Sequence, residues 1–161
     1  MIADLKRIFG REPAVKGMLE TSEPLELLTA ALLVELSRAD FSESGAEHEA
    51  IRQLLRKRFA LSDAAVDSLL ADASRRADRA VSLHEFTHRL HRELPESEKL
   101  AIVEMLWRVS HADGRIDKHE EHLIRRIAGL LHISDRDRIR MKLKVVMDEG
   151  SDEGSGEPPA H

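Results

Sequence analysis

The chain carries one unit twice. Adding 73 to the residue number takes Leu33, Ser37, Ala39 and Asp40 onto Leu106, Ser110, Ala112 and Asp113. The same step takes Glu47, Ile51 and Arg52 onto Glu120, Ile124 and Arg125. After a one-residue slip, Leu61, Ser62 and Asp63 match Ile133, Ser134 and Asp135. Each unit reads as a helix, an acidic turn, a second helix and then a third. A chain of 161 residues is one domain by length and buries about two-thirds of its unfolded surface. Two such units are therefore expected to pack their apolar stripes on each other about a rough two-fold axis.

The punctuation between units is helical throughout. Ile2, Leu5, Ile8 and Phe9 give a short amphipathic helix ended by Gly10 and Pro13; it is basic and can touch anionic lipid or pack on the body. Pro24 begins a longer helix through Leu28, Ala31, Leu32 and Leu36 to Asp40. Capping boxes at Ser44-x-x-Glu47 and Ser82-x-x-Glu85 open two more, the first with the stripe Ile51, Leu54, Leu55 and Phe59. Ser62 caps a helix holding Val66, Leu69 and Leu70. Pro95 starts one with Leu100, Val103, Leu106, Trp107 and Val109. Asp117-x-x-Glu120 opens the next, with Leu123, Ile124, Ile127 and Leu131. Ser134-x-x-Asp137 opens the last, whose stripe is Ile139, Leu143, Val146 and Met147. No segment alternates with period two. The expectation is an all-α domain of seven to eight helices in two pseudo-symmetric units. Residues 1–24 form an N-terminal helix and linker, 25–147 the domain, and 148–161 a disordered acidic tail.

Composition narrows the function classes. The net charge is −5, the pI about 6.0, and the charged residues alternate in sign, which argues against a nucleic-acid binder. Five aromatic side chains leave little to stack on bases. With no cysteine there are no disulfides, thiolate metal sites or Cys nucleophiles, a pattern that fits the cytosol. Lys6 and Arg7 interrupt any signal-peptide core, and no apolar run reaches the roughly 20 residues of a membrane span.

The acids shared by the two units are the candidate site. Leu33, Leu36 and Asp40 fall on one helical face, as do Leu106, Val109 and Asp113. Glu47 precedes Ile51 and Leu54 by four and seven residues, and Glu120 precedes Ile124 and Ile127 likewise. Helical register thus turns Asp40, Glu47, Asp113 and Glu120 inward, where a carboxylate without compensation costs several kcal/mol. Two roles meet that cost. The acids can cap helices and pair with Arg52 or Arg125, or they can ligate a hard divalent cation (calcium, magnesium or manganese) at a centre of Asp40, Glu47, Asp113, Asp117 and Glu120. Asp113-Gly114-Arg115-Ile116-Asp117-x-x-Glu120 reproduces the second half of an EF-hand loop, but Val109 and His111 stand where its first acidic ligands belong. What survives is the turn: Gly114 allows positive φ, Ile116 packs inward and Asp117 caps.

His84-Glu85-Phe86-Thr87-His88 matches HExxH, the pattern that puts two zinc ligands and a general base on one helix. It defines the alternative function, a zinc-dependent hydrolase. Against it, Leu94 stands where the elongated motif requires a third histidine, and nine histidines make a chance match easy.

The run from Leu106 to Ser134, LWRVSHADGRIDKHEEHLIRRIAGLLHIS, resembles the signature of the TerB tellurite-resistance family: an Ala-Asp-Gly turn, a helix begun by Glu and an Ile-Ser break. The likeness extends over Leu25 to Met147 and includes the LSRAD turn at Leu36 to Asp40. Related domains occur at the N-terminus of a membrane-anchored DnaJ co-chaperone. The resemblance implies an all-α, internally symmetric fold, no established enzymatic activity, and a place among stress-response or membrane-linked protein assemblies, with a divalent metal. It implies a cytoplasmic module, peripheral to the inner membrane, that binds protein partners. Phe41 and Glu43 depart from the pattern of the second turn, where Gly114 and Ile116 stand. Tellurite itself is an anion, which a cluster of carboxylates repels.

Overall fold

The computed structural model describes the backbone of residues 23–39 and 45–154, and side chains through Asp148. Over these residues the chain is helical, without strands: α1 (Leu25–Arg38), α2 (Gly45–Arg58), α3 (Asp63–Arg79), α4 (His84–Glu93), α5 (Glu96–Ser110), α6 (Lys118–Leu130) and α7 (Asp135–Gly154). No helix among them is long and apolar enough to cross a membrane. The N-terminal helix expected near Ile2, the Ser44 cap and Asp40 lie outside the described residues.

Packing follows the repeat. In the first unit α1 packs on α3 and α2, and α2 on α3; in the second, α5 packs on α7 and α6, and α6 on α7. Between units, α2 meets α5 as α6 meets α1, while α1 and α5 meet each other. Every one of these pairs keeps its place when the units are exchanged, which is the pattern of a two-fold. The axis runs between α1 and α5, apolar on nearly every face because each is covered on several sides. Their core includes Leu28, Leu32, Leu33 and Leu36 from α1 and Val103, Leu106, Trp107 and Val109 from α5, all fully buried or within 1% of it. Among the described residues α4 alone has no counterpart; it links the units and packs on α1 and α6.

The helix ends repeat as well. Ser62 accepts a hydrogen bond from Ala65 N–H at the start of α3, and Ser134 from Asp137 N–H at the start of α7, each at 3.1 Å. Both second helices close with a left-handed residue, Ala60 (φ 51°) after α2 and His132 (φ 60°) after α6. Beyond them Leu61 N–H reaches Arg56 O and Ile133 N–H reaches Ala128 O, both at 2.9 Å, the longer bond of a Schellman motif. Glycine normally fills that position, so the sequence carries no sign of this cap.

The last helix differs from expectation in two ways. It continues to Gly154 rather than ending at Met147. Its stripe also faces the other way: Val145 is buried and Met141 half-buried, whereas Ile139, Leu143, Val146 and Met147 are exposed. The reason is that Trp107 Nε1–H donates to Arg138 O (3.0 Å) and the Lys142 ammonium lies 5.4 Å over the indole ring. Those contacts fix the Arg138–Lys142–Val145 face against α5.

Candidate functional site

The second acid turn is well defined. α5 ends at Ser110, His111 and Ala112 make a tight turn, and Gly114 takes φ +86°. Asp113 Oδ1 accepts the Arg115 N–H (3.0 Å), and Asp117 Oδ1 accepts the His119 N–H (2.6 Å) to cap α6. Ile116 packs on the core. Asp113 is exposed, contrary to its helical register, because the helix that would have carried it inward stops three residues earlier. The glutamates behave as the register requires: Glu47 is 2% exposed and Glu120 fully buried, each in the first turn of its helix. Arg52 does not serve Glu47; it pairs with Asp67 (2.9 Å) and Asp63 (3.2 Å) and ties α2 to α3. That pairing draws the Asp67 carboxyl below its usual range, chiefly through the hydrogen bond from Arg52.

One residue beside the turn was not singled out in the sequence. Ser110 is fully buried at the end of α5, and its Oγ has no hydrogen-bond partner among the described residues. Its counterpart Ser37 donates to Val34 O at 2.8 Å. The repeat match of Ser37 and Ser110 was the available signal. Among the described residues no three of His, Asp and Glu stand close enough together to hold a metal ion. The oxygens present, from carboxylates and a hydroxyl, are nonetheless those that calcium, magnesium and manganese prefer.

The HExxH helix is assigned by its hydrogen bonds. His84 and His88 are exposed neighbours, ring centroids 5.0 Å apart, while Phe86 and Leu90 are fully buried. Glu85 spends its carboxylate on the start of α4. Its Oε2 accepts the Val81 and Ser82 N–H groups (2.6 and 2.9 Å), half of the expected capping box, while among the described residues the Ser82 hydroxyl caps nothing and Leu83 is the N-cap; Glu85 Oε1 lies 3.3 Å from the Arg76 guanidinium. These backbone hydrogen bonds, with Arg76 behind them, hold its carboxyl below the usual glutamate range. We expect Glu85→Ala to cost about 1 kcal/mol, roughly 2–4 °C in melting temperature. A depressed folded pKa gives stability that is present above the ordinary value of 4.5 and lost as pH falls through the folded one. The gap between wild type and Glu85→Ala in thermal melts should therefore narrow on acidification below that value.

A second polar centre escaped the sequence reading. Lys99, only 6% exposed, donates from Nζ to Leu131 O (3.1 Å) and to His91 Nδ1 (3.1 Å), with Glu96 at 3.4 Å. The His91 ring stacks on that of His132, centroids 4.0 Å apart. Since an ammonium only donates, His91 Nδ1 is an acceptor and its ring is neutral. Desolvation, then the His132 and Lys99 charges, push the His91 pKa down. The clue was that Lys99 precedes Val103 and Leu106 by four and seven, placing it in the apolar stripe of α5.

A family model described as "Tellurite resistance protein TerB" matches residues 26–143. The chain belongs to the TerB family. No curated protein and no solved structure matches it significantly. The TerB match runs from α1 into α7, so both acid turns, the buried glutamates and α4 all lie within it.

Proposed function

We propose that this TerB domain is a non-catalytic binding module of a stress response, cytoplasmic and peripheral to the inner membrane. It docks protein partners there, and a divalent cation at its acidic centre gates that docking. The observation that carries the reading is the fully buried Ser110 hydroxyl without a hydrogen-bond partner among the described residues, one helix end away from the fully buried Glu120. A buried hydroxyl without a partner in a native fold calls for a water or an ion. Ser110 and Glu120 are the second unit's donors and Asp40 and Glu47 those of the first, while Asp113 and Asp117 are engaged in the turn and in the α6 cap. All are hard oxygen ligands, which favours calcium, magnesium or manganese over zinc. When bound, the cation would supply positive charge that offsets the buried carboxylates. A cation also presents positive charge to an oxyanion, which the bare carboxylates would repel.

Thermal melts with each cation test this. A ligand of the native state at a hundred times its Kd adds about 2.7 kcal/mol. Calcium, magnesium or manganese should raise the melting temperature of wild type and of Ser37→Ala, and fail to raise that of Ser110→Ala or Glu120→Gln. A wild-type protein indifferent to millimolar concentrations of all three sinks the cation reading.

A further inference from the structure

The outward face of α7 is apolar where the fold does not require it to be. Ile139 is 38% exposed, Leu143 54% and Val146 38%, and Met147, one turn on from Leu143, is 69% exposed. Spacings of four and three set them along one stripe of the helix. The repeat supplies the control. The matched Ser62 and Ser134 caps and the left-handed Ala60 and His132 set α3 and α7 in register at a step of 72. At that step Ile139, Leu143, Val146 and Met147 correspond to Asp67, Ala71, Ser74 and Arg75. The same architectural position in the first unit is therefore polar or small, so nothing in the packing of a third helix calls for large apolar side chains there. A row of them on a surface marks an interface.

Charge along α7 says what covers it. From Asp135 to Lys144 the helix carries Arg136, Arg138, Arg140, Lys142 and Lys144 against two aspartates. From Asp148 to Gly154 it carries only acids, Asp148, Glu149, Asp152 and Glu153. The basic stretch and the acidic end thus lie at opposite ends of one helix, and the acids at its C-terminal end oppose the macrodipole there. A second α7 laid antiparallel reverses the sign at each end. With Leu143 on the two-fold axis, Ile139 of one copy faces Met147 of the other, and Arg136 comes opposite position 150, within the acidic stretch of the sequence. Arg136 makes no ion pair among the described residues of its own chain. An anionic membrane fits less well, since the acidic end would be repelled from it.

We infer that α7 is a homodimerisation helix, pairing antiparallel with a second copy of this chain through Ile139, Leu143, Val146 and Met147. The helix is about 30 Å long and the contact is a narrow one, so the pair is weak and reversible, with a Kd of about 10 µM.

Sedimentation or light scattering of the full chain over a concentration series tests it. Wild type should pass from monomer to dimer, and added salt should weaken the dimer. Leu143→Glu, at an exposed position that leaves the core intact, should raise Kd by about 30-fold or more, as loss of a central hot spot does. Its far-UV circular dichroism and melting temperature should match wild type. Because the chain has no cysteine, orientation can be read directly. Mixed Ile139→Cys and Met147→Cys proteins should form a mixed disulfide, and Ile139→Cys alone should form none with itself. A wild type that stays monomeric, a dimer indifferent to Leu143→Glu, self-crosslinking by Ile139→Cys, or a monomer that floats with phosphatidylglycerol vesicles through Leu143 would each overturn the inference.

Discussion

Trp107→Ala should cost about 3–5 kcal/mol, the largest single-site loss in this fold. The side chain is fully buried on α5 and is the largest in the core. Two separate contacts converge on it. Its indole N–H donates to Arg138 O in the first turns of α7, and its face receives the Lys142 ammonium at 5.4 Å. Lys142 in turn reaches Glu121 of α6 at 2.9 Å. Removing the indole leaves a cavity and removes the anchor that chooses which face of α7 turns inward. Trp107→Phe keeps most of the volume but loses the N–H, so it should cost less, about 1–2 kcal/mol. Denaturant melts give both values. Hydrogen exchange adds a distinguishing reading: protection of α7 should fall more than that of α3, which has no such anchor. Equal loss in the two helices would contradict the assignment.

Lys99→Ala should cost about 2–4 kcal/mol, from lost methylenes and from lost charge-assisted hydrogen bonds. Leu131 O, at the end of α6, and His91 Nδ1 on α4 lose their donor together. Lys99→Met keeps the stem and should cost about half as much, which separates packing from bonding. The same pair of variants carries a pH signature. His91 is held neutral by desolvation and by the charges of His132, Lys99 and, more weakly, His88; the Leu131 carbonyl acts the other way. A histidine with a depressed folded pKa contributes stability above its ordinary value of 6.5 and loses it as pH falls through that value toward the folded one. Wild type should therefore lose melting temperature on acidification below 6.5. In Lys99→Met one of the repelling charges is gone, the His91 pKa rises, and the acid loss shrinks. Titration of the His91 ring by NMR reads the shift directly; an unchanged midpoint would show that Lys99 does not act on this imidazole.

The architecture was legible because duplication and helical period agree. Leu33 and Leu106, Leu36 and Val109, and Ile51 and Ile124 all lie in the core where the repeat and the stripe both placed them. The burial of Glu47 and Glu120 followed from the same register. Asp113 did not, because register arguments assume a helix that in fact stops at Ser110. The left-handed caps at Ala60 and His132 were illegible, since neither residue favours that conformation. The direction of α7 was illegible for another reason. Periodicity locates an apolar stripe but cannot say whether the stripe meets the chain's own core or something outside it. Val145 and Met141 formed the weaker pattern, and a hydrogen bond from Trp107, on another helix, decided between the two. Lys99 was passed over because a lysine in an apolar stripe reads as a snorkelling side chain until its acceptors are known.

Among the described residues α4 is the unmatched helix, and this has a topological consequence. A single connector between the two units covers one of their two equivalent faces and leaves the other without it. Here the connector is α4, seated on α1 and α6. The related face, on α5 and α2, carries among the described residues a groove lined by Leu54, Arg58, Glu104, Met105 and their neighbours. At the repeat step of 73, Glu104 stands where Ala31 of α1 is fully buried. Without a covering helix that site is free of the demand for a small apolar side chain, and here it is charged. The connector, rather than any difference between the paired helices of the two units, sets these two faces apart.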